Sequence, residues 1–439
     1  MFLHCVQFPN HSIMILNKEV KSMFLTQSNI LRHLSKSEYN MLREMCRCSN
    51  SLYNCAVYEI RQHFFKTNTY LQYTKNYHIC KLNENYKMLQ AGVAQQTMKV
   101  ADRSFKSFFA LLKKKQSGEY SEKIRLPKYR EKGGMFNLIL STNAINIKDG
   151  ILTLPMSRTF SRKHDKTSIK IVLPERLKDK TIKEIRIIPL YKGHHFKIQY
   201  CYEIEAEPKY LNKDSCIAID IGVDNLASCV TNKGTSFIMD GRKIKSINQY
   251  WNKRKAKLQS VASKQGFHTT KQICSLTRKR NSRIDDCIKK TARYIINYCI
   301  AHDIGAVICG YNKDFKRNVN LGAKNNQQFT QISFSKLLQA IKNLCERYEM
   351  NYIEQEESYT SKASFLDLDE IPVFSEDKKQ AYKFSGKRIH RGLYRAKNGR
   401  ILNADINGAC NILRKSKQNF KYEELCKGLL ASPLRIKVS

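Results

Sequence analysis

No run of about 18 apolar residues occurs in the 439-residue chain, so a transmembrane helix is excluded. The first residues, MFLHCVQFPNHSIMIL, are interrupted by His4, Gln7, Pro9, Asn10 and His11 too often for a signal-peptide core. The 15 cysteines never fall as Cys-x-x-Cys, and the closest pair is Cys46 and Cys48. That pattern predicts free thiols in a reducing compartment and gives no thiolate zinc site. No internal repeat of about 20 to 50 residues is visible. Acid is scarce: 38 Asp plus Glu stand against 78 Lys plus Arg, a formal charge of +40. Such an excess opposes compaction unless a polyanion neutralises it, and nucleic acid is the commonest one, with a membrane surface as the competitor.

What is present is a folded chain. Apolar residues make up 42 %, with 20 Phe and 23 Tyr, too many for a disordered basic tail. The length allows two or three domains without disulfide staples. Residues 21 to about 36 can start a strand, and 37–115 read as helical. In VAQQTMKVADRSFKSFFALLKKK, Met98, Ala101, Phe105, Phe108 and Leu112 step by three and four and define one core stripe. From about 116 to 206 the pattern turns to short strands, SIKIVLP, IKEIRIIPL and HHFKIQYCYEIE, punctuated by Pro127, Pro155, Pro174 and Pro189. A small antiparallel barrel or sandwich is expected there. Beyond Asp214, strands and helices alternate: CIAIDIG, ASCVTN, a long helical stretch over 243–302, AVICG, then the amphipathic KLLQAIKNLCERYEM. That order predicts an α/β layer domain, with ADINGACNILRK opening a further helix after a basic loop at 374–400.

Between residues 241 and 293 there are 16 Lys or Arg against 2 Asp or Glu. A solvated helix face normally mixes the signs, so the near-absence of acid predicts a surface that follows phosphates. If the partner is nucleic acid, the acids decide whether it is also cut. Two-metal phosphodiester hydrolysis needs carboxylates converging from separate elements on cations about 3.5 to 4 Å apart. Asp220 ends the apolar run Cys216 to Ile219 just before Gly222, although a strand-end Asp is often a cap. Asp405, in Ala404-Asp405-Ile406-Asn407-Gly408-Ala409, could equally be a helix-start acid worth about 1 kcal/mol. Glu356 and Glu357 close the strand IEQEES, and since neighbours on a strand face opposite ways, only one can join a site.

Taken together, IAIDIGVDNLASCVT, YTSK (359–362) and ADINGACNILRK resemble three blocks of the TnpB (transposon OrfB) family, RNA-guided nucleases related to type V CRISPR effectors and Fanzor proteins. QAGVAQQTMKVADRSFKSFFALLKKK and LPKYR extend the resemblance over most of the chain. The resemblance implies a multidomain α+β fold: an oligonucleotide-binding (wedge) β-barrel with an inserted helical recognition domain, then an RNase H-like α/β RuvC nuclease domain. The corresponding bounds are 1–36 for an N-terminal extension and first barrel strand, 37–115 for the recognition helices and 116–212 for the barrel. The nuclease domain follows at 213–415, with a degenerate zinc-ribbon-like insertion at 362–400, and 416–439 is a C-terminal tail. It implies two Mg²⁺ held by Asp220, a glutamate and Asp405, a transposon-end-derived guide RNA, a double-stranded DNA target and a monomeric ribonucleoprotein. No membrane partner is expected, and the location expected is the bacterial cytoplasm, at the nucleoid.

The pattern breaks twice. Gly310 stands where the family usually places its glutamate. In a subgroup that resembles this chain in EESYTSKASFLD, a glutamate ahead of YTSK takes that role, here Glu357, with Glu356 and then Asp314 as alternatives. The family's two Cys-x-x-Cys pairs are replaced by Ser364 and Asp367 and by Arg395 and Asn398, with Gly399 retained, so no structural zinc is expected. The expected function is a transposon-encoded, Mg-dependent RNA-guided DNA endonuclease cutting guide-matched DNA beside a short flanking motif. The alternative, raised by Gly310, is a nuclease-dead RNA-guided DNA-binding repressor. A strand-joining transposase is disfavoured, because no His-hydrophobe-His motif with a partner tyrosine is found.

Overall fold

The computed structural model describes residues 22–165, 168–311, 331–373, 382–390, 392–416, 419–426 and 433–438. The chain divides into two compact units, Met1–Glu205 and Ala206–Ser439.

The first unit opens with β1 (Ser22–Ile30), followed by α1 (Lys36–Thr67), α2 (Tyr73–Cys80), α3 (Glu84–Lys87) and α4 (Ala91–Gln116). α1 starts where it does because Ser35 and Glu38 form a reciprocal capping box, and it ends where Asn68 takes a left-handed conformation. Its buried residues Leu42, Met45, Leu52, Ala56 and Ile60 recur at helical spacing and meet Val93, Met98, Ala101 and Phe105 of α4 in one core. The predicted stripe is therefore buried through Phe105, while Phe108 and Leu112 are half-exposed. The strands that follow are β2 (Leu138–Ser141), β3 (Asn146–Lys148) and β4 (Ile151–Pro155); then, after α5 (Arg158–His164), come β5 (Ser168–Val172), β6 (Ile182–Leu190) and β7 (His195–Glu205). They form two antiparallel sheets, ordered β1-β7-β6-β2 and β3-β4-β5. β1 pairs with β7 over its whole length, Ser22 opposite Glu205 and Ile30 opposite Lys197, so the helices are interposed in sequence between strands of one sheet.

The second unit contains β8 (Cys216–Asp220), β9 (Asn225–Thr231), β10 (Ser236–Asp240), α6 (Arg242–Lys264), α7 (Lys271–Ala301) and β11 (Ala306–Tyr311). These are followed by α8 (Phe334–Tyr348), β12 (Asn351–Glu356), β13 (Lys387–His390), β14 (Leu393–Arg395), β15 (Ile401–Asn403), α9 (Ala404–Lys415), α10 (Tyr422–Cys426) and β16 (Leu434–Ile436). The helical stretch expected over 243–302 is two helices: Gly266 takes a left-handed φ of +72°, and Thr270 then caps α7 with its side chain. The main sheet runs β12-β11-β8-β9-β10-β16. β8, β9 and β10 form an antiparallel meander, whereas β11 is parallel to β8 and β12 parallel to β11. Alternation along β8 puts Ile217 and Ile219 into a core with Ile288, Ile295, Leu337 and Ile341 of α7 and α8. Cys216 and Ala218, on the other face, pack with Ile406, Ala409 and Leu413 of α9. By the same alternation Asp220 lies on the α9 face. The unit is thus an α/β layer structure, as the order of its elements predicted. β13, β14 and β15 form a small separate sheet.

Candidate active site

The parallel strands β8, β11 and β12 end at one edge of the sheet, the edge where open α/β sheets gather their sites. Asp220 is the last residue of β8 and Glu357 follows β12 directly. β11 runs between them and reaches this edge at Gly310, with Cys309 level with Ile219 and Gly310 level with Gln355. A Cβ placed on Gly310 would sit 2.6 Å from Oε2 of Glu357 and 2.7 Å from Cδ1 of Ile412. Real Cβ atoms do not approach so closely. The carboxylate of Glu357 therefore fills the space that a side chain at position 310 would need, reaching across the glycine from the next strand. A second glycine makes room for Asp220: a Cβ on Gly408 of α9 would lie 2.6 Å from Asp220 Oδ2.

Asp405 enters from the first turn of α9. The helix cap is its neighbour but one, Asn403, whose Oδ1 accepts from the backbone N–H groups of Asp405 and Ile406 at 3.0 and 3.2 Å. The Asp405 carboxylate is thus released from capping. It accepts instead from Asn225 Nδ2 at 2.5 Å and from the Arg388 guanidinium at 2.8 Å. Asn225 in turn accepts from Arg435 of β16 at 2.7 Å.

Asp220 feels the charges of the other two acids. Burial pushes Asp220 well above the usual carboxylate range, the charges of Glu357 and Asp405 push it further, and Arg388 pulls it back. Burial, with help from Glu356, raises Glu357 to about 7. Beside Asp220, at the paired position on β9, the buried hydroxyl of Ser228 has no hydrogen-bond partner among the described residues. Two half-buried carboxylates, the charge of Glu357 raising Asp220, next to an orphaned hydroxyl, form an all-oxygen donor set of the kind hard divalent cations take. The donor chemistry therefore fits Mg²⁺. Among the described residues, however, no three His, Cys, Asp or Glu side chains stand close enough together to hold a metal ion.

The other candidates separate clearly. Glu356 is taken up elsewhere, ion-paired with Lys415 of α9 and accepting from the Ser358 N–H at 2.6 Å, which holds it below the usual carboxylate range despite its partial burial. Asp314 lies outside the described residues. At the positions that would carry zinc ligands, Ser364 Oγ donates to Asp367 Oδ2 at 2.6 Å, and the Lys397 N–H donates to the same oxygen at 2.8 Å. One carboxylate thus links the two halves of the loop, while Asn398 accepts locally from the Arg400 N–H at 3.0 Å and Arg395 pairs within the β13-β14-β15 sheet.

Asn225, Arg388, Gly408 and Arg435 were not singled out from the sequence. They differ from other residues of their types only by where the fold puts them. A cleft of about 460 Å³ opens beside Asp405, lined among others by Asp224, Arg242, Lys245, Arg388 and Arg435. Along the basic hairpin of α6 and α7, Trp251 has Lys255 at 4.9 Å and Arg280 at 5.1 Å from its ring centre, and Tyr250 and Phe267 are exposed.

In its fold class the chain is a mixed α+β multidomain protein similar to Cas12 effectors. It is similar to the solved structure titled "Cryo-EM structure of the Cas12f1-sgRNA-target DNA complex", with a TM-score of 0.57 at 15 % identity over 86 % of this chain and 83 % of that one. More particularly, residues 199–316 match the family OrfB_IS605, "Probable transposase". The chain is also 24 % identical over 435 residues to the "TnpB-like protein ORF457" of Acidianus two-tailed virus, covering 89 % of this chain and 86 % of that protein. The resemblance to the nuclease-related TnpB (OrfB) family carried by the three sequence blocks therefore stands.

Proposed function

We propose that this chain is an RNA-guided DNA endonuclease that hydrolyses phosphodiester bonds of guide-matched DNA beside a short flanking motif. The observation that carries the reading is the Glu357 carboxylate standing in the space a side chain on Gly310 would take, on the strand edge that also carries Asp220. The strand order, with a three-strand meander extended by two parallel strands from its first member, supports an RNase H-like RuvC domain; the interposed helices of the first unit support a recognition domain inserted in a wedge barrel. Asp220, Glu357 and Asp405 would hold two Mg²⁺. Bound there, the ions would supply an activated water and a positive charge on the leaving oxygen. The chain's own part is to hold Asp220 and Glu357 half-buried at the strand edge, to keep Asp405 in place through Asn225, and to offer phosphates the cleft of Arg242, Lys245, Arg388 and Arg435. The basic hairpin of α6 and α7 suits a nucleic-acid backbone, with exposed Tyr250 and Phe267 available for stacking. The Cas12f1 structure is of a complex with sgRNA and target DNA, and its fold likeness supports equivalent partners here. The Asp367-centred hydrogen bonds support a loop that needs no zinc.

One observation favours the nuclease-dead alternative: Arg388 already pairs with the Asp405 carboxylate. The deciding experiment is purification with co-purified RNA, sequencing of that RNA, and challenge with a randomised-flank plasmid library with and without Mg²⁺. Mg²⁺-dependent cleavage lost in Glu357→Gln establishes the nuclease; guided binding without cleavage establishes the repressor.

A further inference from the structure

Away from the chemistry above, the helical part of the first unit holds two thiols in contact. Cys55 of α1 and Cys80 of α2 stand 25 residues apart in sequence, yet their sulfurs are 3.7 Å from each other. Cys55 is half-exposed and Cys80 is buried, so solvent meets the pair at Cys55.

Helix packing builds this contact. Asn76, one turn before Cys80 on α2, is buried. Its Nδ2 donates to the carbonyl of Ala56, the neighbour of Cys55, at 3.2 Å, and its Oδ1 accepts from the Cys80 thiol at 3.2 Å. One amide thus sets the register of α2 on α1 and holds the Cys80 sulfur beside Cys55. Asn76 and Cys80 are the buried residues of α2, so this is also where the short helix is anchored. The hydrogen bond from Cys80 keeps the Cys55 thiol below its ordinary value, against burial and the charge of Glu59 one turn on. The same bond and burial raise Cys80. The thiol that solvent reaches is therefore the one that ionises first.

We propose that Cys55 and Cys80 form a reversible redox modification site, in which a hydroperoxide oxidises Cys55 and Cys80 closes a disulfide that staples α2 to α1. In the first step the Cys55 sulfur attacks the terminal peroxide oxygen and the O–O bond breaks. Cys55 becomes a sulfenic acid, and the leaving oxygen takes up the thiol proton; with hydrogen peroxide that product is water. In the second step the Cys80 sulfur attacks the Cys55 sulfur, the S–O bond breaks, and the hydroxyl leaves with the Cys80 proton as water. The two thiols lose two electrons and the peroxide gains them. Closing the sulfurs from 3.7 Å to the bonded distance of about 2.05 Å takes a movement of about 1.7 Å, shared between two side chains. A dithiol reductant reverses the bond by exchange, which suits a compartment that keeps the other cysteines reduced. The site needs neither nucleic acid nor metal nor cleavage.

The test treats the reduced full-length protein with a stoichiometric amount of hydrogen peroxide, blocks remaining thiols with N-ethylmaleimide, and maps peptides by mass spectrometry without reductant. The expected product is one cross-linked pair of peptides carrying Cys55 and Cys80, abolished by dithiothreitol. It should form about tenfold faster than any disulfide of the half-exposed Cys201 or Cys426. In Cys80→Ser the sulfenic acid should persist on Cys55 and be trapped by dimedone, whereas Cys55→Ser should leave Cys80 unmodified. Amide exchange over 73–80 should slow about tenfold in the oxidised wild type and stay unchanged in peroxide-treated Cys55→Ser. The wild-type peptide map stands without either variant. Cys55 driven to sulfinic acid while Cys80 stays free overturns the proposal. So does a Cys55–Cys80 link no more frequent than in urea-unfolded protein, and unchanged exchange in the cross-linked wild type overturns the staple.

Discussion

Oε2 of Glu357 lies 2.6 Å from the point where a Cβ on Gly310 would stand. Position 310 is therefore glycine for a steric reason: the two positions compete for one space. Gly310→Ala should push Glu357 aside or strain the Ile412 contact, costing about 1–3 kcal/mol of stability by overpacking. Cleavage should fall with it. The reciprocal swap, Gly310→Glu with Glu357→Gly, returns a carboxylate to the same region from the neighbouring strand and should recover cleavage relative to Glu357→Gly alone. Denaturant midpoints and single-turnover cleavage check both; a fully stable and active Gly310→Ala would remove the steric account.

The titration of Glu357 predicts how metal-free stability depends on pH. Its folded value, about 7, lies above the ordinary 4.5. Between those values the native protein holds a proton that the unfolded chain has lost, so this contribution is full below about pH 4.5 and is lost as pH rises through 7. The shift corresponds to roughly 3 kcal/mol. Urea denaturation in EDTA from pH 5 to 8 should show the wild type weakening with rising pH and Glu357→Gln weakening less. Parallel profiles would mean that Glu357 is solvated rather than packed beside Gly310.

Much of this was legible in the sequence, and the rest failed for identifiable reasons. The apolar run 216–219 and the step to Asp220 place a buried strand and its terminal acid without further information, and the three- and four-residue spacing in 98–105 places a core stripe. Preferring Glu357 to Glu356 came from its position beside the turn; the structure adds that Lys415, 59 residues away in sequence, takes Glu356. No local pattern marks Lys415 for that task. Arg388 and Arg435 are likewise two cations among 78, and their proximity to Asp405 is a product of tertiary packing. The split between α6 and α7 was missed because the charge pattern runs through it unbroken, although Gly266 was visible.

The loop at 362–400 predicts a metal-independent stability. Asp367 joins the Ser364 hydroxyl to the Lys397 amide, the connection a tetrahedral metal would otherwise make. Chelator dialysis should leave the melting temperature unchanged, whereas Asp367→Ala should lower stability by about 1–3 kcal/mol through the unsatisfied groups it leaves. One zinc per chain in a chelator-washed sample, by elemental analysis, would contradict this.

Asp405 is held from two directions, and the two supports should fail differently. The line Arg435 to Asn225 to Asp405 ties the first turn of α9 to β16, so Asn225→Ala frees one carboxylate oxygen and leaves Arg435 without its neutral acceptor. Arg388 places a full positive charge on the other oxygen. If Asp405 binds metal, these partners oppose each other: Asn225→Ala should weaken Mn²⁺ binding by loosening the carboxylate, and Arg388→Ala should strengthen it by removing a competing cation. Asp405→Ala and Asp220→Ala should abolish cleavage while leaving RNA and target binding nearly intact. Titration calorimetry with Mn²⁺, together with plasmid cleavage and filter binding, reads all four variants. Full cleavage in either aspartate variant would refute the two-metal reading, and unchanged Mn²⁺ binding in both partner variants would show that Asp405 meets no metal.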